Sequence, residues 1–274
     1  MFEVIIPVKN RSEIKQCVDS LINPENVRDR VYNNSPKRVI ICDGGSSDRP
    51  CISALQELQK RDTVEILSYP SSQFNKSRLI NQGILHSHGE YLLISDADII
   101  WNAETLTKLL DRVKLQEKAI ACVQNVAESN PAAEVLKRDR YTYKIAVENN
   151  IPLVKIVREE NNISENRPGC GLICTRKSTL IALGGYKEIF QGWGWEDRDL
   201  LMRAELLGFE ICWTGKVIHL SHSDNVRNQS NDRSIMTTRN LNIIASLHSL
   251  QKSAIGDLGK YQIRKHPELF KNRK

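Results

Sequence analysis

The sequence predicts an α/β fold: an open, mostly parallel central sheet with helices on both faces. Short apolar runs of high strand propensity alternate with helical stretches through the first half of the 274 residues, the signature of strand–helix–strand units. Two of those runs end in acidic, turn-rich strings, Asp43-Gly44-Gly45-Ser46-Ser47-Asp48 and Ser95-Asp96-Ala97-Asp98. Ligands gather beyond the carboxyl ends of parallel strands, and right-handed crossovers bring those ends to one side of the sheet.

The elements follow in order. Phe2–Ile6 is a first strand, ended by Pro7, and Val8–Arg11 a loop. Ser12 is expected to cap a helix running to Leu21. Residues 23–35 are polar and expected to be loop. Arg38–Cys42 is a second strand, followed by a helix to Lys60, a third strand over Val64–Leu67 and a helix over Phe74–His86. Tyr91–Ile94 is a fourth strand that runs directly into Asp96 and Asp98. Ala103–Gln116 continues as helix and Ile120–Val123 as strand.

The pattern then loosens. Residues 131–149 are expected to be helical, and residues 150–168, polar with Pro152 and Pro168, a loop that closes over a bound ligand. Gly169–Cys174 resumes a strand, and Arg176–Leu183 is a short helix stopped by Gly184-Gly185. A helix after Gln191-Gly-Trp-Gly-Trp-Glu-Asp reaches Leu207. Two short strands, Glu210–Trp213 and Val217–His219, precede a helical tail from Ile235 to Gln251. Residues 1–230 are expected to form one catalytic domain, split near residue 125, with a basic helical tail over 231–274 packed on it.

Composition narrows the function. The chain is 40% hydrophobic and 26% charged, as soluble globular proteins are, and no run is long enough to span a membrane. The N-terminus enters a strand with no leader pattern, and the seven cysteines are scattered without a zinc spacing. Free thiols in a reducing, cytoplasmic setting follow. Aromatic residues make up only 6%, with no basic–aromatic interleaving, so nucleic acid is not an expected partner. Much of the +6 net charge lies near the end, at Lys260, Arg264, Lys265, Lys271, Arg273 and Lys274. That tail is either a solvated terminus or a contact for an anionic lipid or polymer.

Asp96 and Asp98 at one strand end repel each other unless a cation lies between them, and a hard divalent ion that also touches a phosphate suits the place. The alternative is that Asp96 caps a helix and Asp98 is solvated. Asp43 either accepts from a base or ribose, or bonds its own turn. Glu196 and Asp197 either favour a helix dipole or supply a carboxylate base beside the Trp193 and Trp195 platform. His219 and His222 are each a structural histidine or a ligand completing an Asp98 metal site.

Together these strings resemble GT-A-fold glycosyltransferases over roughly residues 2–225. The narrower likeness is to the β-1,4-galactosyltransferase family and bacterial chondroitin-polymerase-type (family 2) domains. It rests on Ile6–Arg11, Phe74–Gly83 with Arg78, Asn81 and Gly83, the Asp96-Ala97-Asp98 string, and Gly192–Asp199. The resemblance implies metal-dependent, inverting transfer of a hexose or N-acetylhexosamine from a UDP-sugar to a saccharide or lipid-linked saccharide. It implies Mn2+ (or Mg2+) at Asp98 and at His222 in preference to His219. It makes Asp197 the general base with Glu196 beside it on the acceptor, and Trp193 a lining of the sugar pocket. Pro7, Arg11, Lys76, Arg78 and Asp96 fall near the nucleotide sugar, and Asp43 on its uracil side. The family has Phe and Arg where Val8 and Lys9 stand, and Gly where Trp195 stands, which leaves the donor open. Peripheral contact with a membrane surface, where lipid-linked acceptors sit, accords with this reading. A catalytically silent carbohydrate-binding or scaffold module is the alternative. A nicotinamide enzyme is disfavoured because no G-x-G-x-x-G follows the first strand.

Overall fold

The computed structural model describes residues 1–23, 34–130, 132, 140–149, 151–159, 166–192, 194–222 and 234–261. Its centre is an eight-stranded mixed sheet. The first strand, β1 (Phe2–Val8), is buried along its whole length because alternate residues serve different layers. Val4, Ile6 and Val8 face one apolar cluster with helix α1 (Ile14–Ile22) and helix α2 (Arg49–Leu58). Ile5 faces the other, with helix α3 (Lys76–His86). A sheet covered on both faces has near-continuous apolar strands.

β2 (Arg38–Asp43) and β4 (Tyr91–Ile94) flank β1 in parallel, and β3 (Val64–Ser68) lies parallel outside β2. Gly83 lets α3 press on β1, since a Cβ there would sit 2.5 Å from Ile5 Cγ2. Asn75 caps α3 by accepting from Arg78 N at 2.9 Å and ties the cap to the Glu188 carbonyl. The short β5 (Ile99–Ile100) leads into α4 (Ala103–Leu115), capped by Asn102.

Beyond β4 the sheet continues through β9 (Asn166–Arg176), β6 (Ala119–Glu128), β10 (Glu210–His219) and finally β5. β9 is antiparallel to both β4 and β6, while β6 and β10 are parallel. Helices α5 (Lys177–Ala182) and α6 (Glu196–Leu206) join α3 on the second face. Helix α7 (Ile235–Lys252) is bound to α6 through Ser246, whose hydroxyl donates to Asp199 Oδ1 at 2.7 Å. Asp199 is itself paired with the fully buried Arg203 at 2.7 Å. Arg203 also donates to the carbonyls of Leu183 and Gly185, both at 2.9 Å.

Four expectations are corrected. Ser12 does not cap α1, which begins at Ile14 with Glu13 at the cap position and no side-chain hydrogen bond there. The helix expected over 131–149 is, from residue 140, the strand β7 (Arg140–Glu148). The loop expected over 150–168 contains β8 (Ile151–Glu159), antiparallel to β7 in a separate two-stranded sheet, and the start of β9. Tyr141, Tyr143, Ile145 and Val147 alternate with period two, the strand period. Lastly, the two strands expected between 210 and 219 are one, β10. Its break residue, Gly215, keeps the strand running at φ +76° where a Cβ would meet Thr105 at 2.6 Å.

Candidate active site

The carboxyl ends of β1 and β4 open onto a cleft of about 310 Å³. Its floor is the loop Pro7–Arg11, the Asp96–Ile99 turn and β9 from Arg167 to Leu172. Its walls are Lys76 at the start of α3, Trp195–Arg198 at the start of α6, and His219 and His222 at the end of β10. Arg140 and Tyr141 of β7 and Arg239 of α7 also line it.

Asp98, His219 and His222 converge so that one ligand atom from each lies within 4.8 Å of the others. His222 Nε2 is 3.1 Å and His219 Nε2 3.5 Å from Asp98 Oδ2. The second imidazole nitrogen of His219, Nδ1, is 2.6 Å from Glu128 Oε2. Glu128 also receives Ser221 Oγ at 2.9 Å and Arg167 Nε at 3.1 Å. A carboxylate behind a histidine fixes the ring's tautomer and leaves Nε2 for a metal. Burial alone would raise the Asp98 pKa, but hydrogen bonds from both histidines hold it well below the usual carboxylate range. Glu128 is likewise brought to about 2, its burial outweighed by the hydrogen bond and charge of His219 and by Arg167. Burial would lower the His219 pKa, yet its bonds to Asp98 and Glu128 raise it. One carboxylate and two imidazoles with room for further oxygens suit a first-row divalent cation such as Mn2+.

A second group surrounds Lys76. Its ammonium bridges Asp96 Oδ1 at 2.6 Å and Glu196 Oε1 at 3.2 Å. Burial opposes its charge, but Asp96, Glu196 and Asp197 keep its pKa well above the ordinary lysine value. Glu196 is pushed upward by burial, with Lys76 acting against the shift and Asp197 adding to it. Asp197 is half-buried at the cleft, with Oδ1 accepting from Arg198 N at 2.7 Å. Gly171 of β9 runs beneath it: a Cβ there would lie 3.4 Å from Asp197 Oδ2 and 3.3 Å from Lys76 Nζ.

Trp195 precedes α6 in the left-handed region, φ +80°, ψ −14°. A non-glycine residue there carries strain of order 1–3 kcal/mol. The indole offsets it by packing, 3% exposed, with Phe190 and Ile243. This is the position where the resembled family has glycine, so the backbone shape is kept and the side chain is extra.

The cleft thus gathers Pro7, Arg11, Lys76, Asp96, Asp98, Glu196, Asp197 and His222 from the sequence-predicted residues. It does not gather Asp43 or Arg78. Asp43 accepts from Ser46 N at 3.0 Å and Ser46 Oγ at 2.7 Å, the self-bonded turn weighed against the ligand role. Arg78 is exposed on α3. Trp193 lies outside the described residues. His219 lies beside Asp98 together with His222. Glu128, Arg140, Arg167 and Arg239 were not singled out by sequence reasoning. The register that sets Glu128 opposite His219 across β6 and β10 has no sequence motif.

The model of glycosyl transferase family 2 matches residues 3–179, and that of the N-terminal domain of galactosyltransferase matches residues 155–223. No curated protein matches the sequence. Among solved structures, GalNAc-T7 with UDP, GalNAc and Mn2+ is similar at 16% identity and TM-score 0.63, over 90% of this chain and 47% of that one. Mannosyltransferase PcManGT from Pyrobaculum calidifontis, in complex with GDP-Man and Mn2+, is 16% identical with TM-score 0.51, over 80% of this chain and 56% of its own. S. aureus TarS 1–349 is 15% identical with TM-score 0.52, over 86% and 68%. The chain therefore spans about half the length of the first two structures it resembles. With a family model covering well over half its length and a sheet shared with these structures, the chain belongs to glycosyl transferase family 2 and has the GT-A fold.

Proposed function

We propose that this chain transfers a hexose or N-acetylhexosamine, galactose, GalNAc or GlcNAc, from a UDP-sugar to a hydroxyl of a saccharide or glycolipid, with inversion. The observation that carries the reading is one cleft holding both a metal-capable Asp98–His219–His222 set and the Asp197 carboxylate. GalNAc-T7 with UDP, GalNAc and Mn2+ supports the donor class. Residues 1–125 supply most of the donor floor, and residues 126–230 the base and both histidines. Mn2+ is favoured over Mg2+ because two of three ligands are imidazoles.

Asp98, His219 and His222 hold the divalent ion, which when bound stabilises negative charge on the leaving diphosphate as a Lewis acid. Lys76 lies next to that charge, and Arg11 stands 4.0 Å from Asp98. Asp197 takes the proton of the attacking hydroxyl. Its alignment contributes about 10²–10⁴ in rate, the usual range for a positioned base. Glu196, held by Lys76, orients the acceptor. Base and leaving group on opposite faces of the sugar carbon give inversion. The reading includes acceptors presented at the cytoplasmic face of a membrane. Among the described residues no helix is long and apolar enough to cross one.

The test is UDP release from a panel of UDP- and GDP-sugars with Mn2+, with and without EDTA, repeated for Asp197→Asn. EDTA-sensitive release from one UDP-sugar, lost in Asp197→Asn with UDP binding retained, is the expected result. Undiminished turnover by Asp197→Asn overturns the base assignment. Failure of UDP with Mn2+ to raise the melting temperature favours a silent carbohydrate-binding module.

A further inference from the structure

The hairpin of β7 and β8 is packed at one end and open at the other. It forms a two-stranded sheet of its own. At its base Tyr141 and Ile156 pack with Phe190, Trp195 and Ile243, and Tyr143 packs against the core of the second sheet face. Arg140 and Tyr141 there line the cleft. Beyond Lys144 and Lys155, which lie opposite each other, the strands run out into solvent. Val147 is 69% and Ile151 60% exposed, and Pro152 is exposed beside them.

Alternation and register sort the far half by face. Ile145, Val147, Pro152 and Val154 share the face of Tyr141, while Ala146, Ile151 and Leu153 share the other. The outer end is therefore apolar on both faces. Glu148 is its acid, and Lys155 Nζ holds it at 2.9 Å. A two-stranded hairpin is marginal in water, and exposed apolar surface at its tip marks a contact site. A protein groove or a second copy of the chain covers one face of such a tip. The interfacial layer of a bilayer surrounds it on all sides. Charge points the same way. The described residues of the hairpin carry Arg140, Lys144, Lys155 and Arg158 against Glu148 and Glu159. Lys144 and Lys155 are both exposed, and like charges directly opposite are unfavourable in water but favourable beside anionic headgroups. Among the described residues no carboxylate pairs with Lys144. Val147 lies three residues beyond Lys144, about 10 Å along a strand. Apolar groups enter the boundary of headgroups and acyl chains to about 5–10 Å, which leaves the lysines at headgroup level, their stems snorkelling.

We propose that the outer end of the β7–β8 hairpin, Val147, Ile151 and Pro152 with Lys144 and Lys155 behind them, is a docking surface for a bilayer that carries anionic lipids. The hairpin runs from the cleft to the lipid: Tyr141 to Val147 is six residues, about 20 Å of strand. Docking then holds the cleft close to the membrane surface. The inference rests on the proposed function in one respect: it selects, among the acceptors of that reading, the lipid-linked saccharide. The docking itself does not depend on the reaction.

The experiment is cosedimentation of the full chain with phosphatidylcholine vesicles, with and without phosphatidylglycerol. The wild type is expected to bind the anionic vesicles, and the neutral ones more weakly. Val147→Asp combined with Ile151→Asp is expected to weaken binding by about tenfold or more, because two inserted apolar side chains are lost. Lys144→Gln is expected to weaken it about fivefold on the anionic vesicles alone, the usual effect of one charge at such a surface. Absence of wild-type binding to the anionic vesicles overturns the proposal. Undiminished binding by the double variant also overturns it and would assign the contact to the basic C-terminal residues. A wild-type dimer in gel filtration that the double variant splits would give the tip to a second copy and overturn it too. If the double variant does not fold, Val147→Trp decides. Brominated acyl chains are expected to quench its added fluorescence, and unquenched emission overturns the docking. UDP release is measured separately in vesicle-free solution. Its absence refutes the donor reading and leaves the vesicle result standing.

Discussion

Gly171→Ala separates the chemistry of the cleft from its stability. The new methyl would lie 3.3 Å from Lys76 Nζ, 3.4 Å from Asp197 Oδ2 and 3.7 Å from Asp197 Cβ. Only the first contact is tighter than ordinary van der Waals contact, and Lys76 Nζ is a side-chain tip that can give way by a few tenths of an ångström. Gly171 lies inside β9 without a left-handed φ, so alanine fits its backbone. Replacing such a glycine restricts the unfolded chain and stabilises by about 0.4–1 kcal/mol, which offsets the crowding. The melting temperature is therefore expected to stay level or rise slightly. Turnover is expected to fall. A 1 Å misplacement of a reacting group costs about 10² in rate, so a shift of a few tenths predicts a loss of roughly tenfold in kcat. UDP affinity in the presence of Mn2+ should fall by less than turnover, because the methyl reaches Lys76 Nζ but not the Asp98–His219–His222 set. Thermal melts, UDP titration and UDP-release kinetics on one preparation read all three. A variant with wild-type kcat would refute the placement of Lys76 at the reacting atoms.

Other outcomes follow from the same contacts. Arg203→Met leaves Asp199 charged and fully buried without its partner, and urea unfolding should show a loss of about 3–5 kcal/mol. Adding Asp199→Leu should recover much of it. Glu128→Gln removes the carboxylate behind His219, and Mn2+ binding followed by the EPR signal of the free ion should weaken by about 10–100-fold. Six of the seven cysteines are buried, and burial lifts the thiols of Cys17, Cys42 and Cys174 to about 12. At mildly alkaline pH an aromatic disulfide reagent should therefore label Cys212 in the native protein and the others only on unfolding.

The first hundred residues were legible because their signals are local. An apolar run running into Asp96 and Asp98 places a site by strand chemistry alone, and the helix expected over Phe74–His86 is α3 within two residues. The same locality misled at Ser12, where a good capping residue stands two positions before a helix that does not use it. It misled again over residues 140–159, where Pro152 and polar residues masked a period-two hairpin. That error hid Arg140 and Tyr141, because a residue assigned to a helix or a loop is not looked for in a cleft. Asp43 illustrates the opposite case. The residue type and strand-end position fit a nucleotide contact, while Ser46, three residues on, satisfies the carboxylate locally. Glu128 and His219 meet only through the pairing of β6 with β10, and Arg239 reaches the cleft only through the docking of α7. Contacts between distant segments leave no pattern in either segment.

The place of β9 also has a consequence for how the molecule comes into being. β9 lies between β4 and β6, and its register pairs Tyr91 with Arg176, so the middle of the sheet closes only through contacts between distant parts of the chain. Such topologies fold slowly, since loop-closure entropy is spent before the distant contacts form. At ribosomal speeds of about 5–20 residues per second, β1 to β4 wait several seconds for the strand that covers their edge. During that interval β4 presents an open apolar edge, the kind of surface that pairs with other chains. The strand that carries Gly171 beneath Asp197 is thus also the one whose arrival ends the nascent protein's exposure to aggregation.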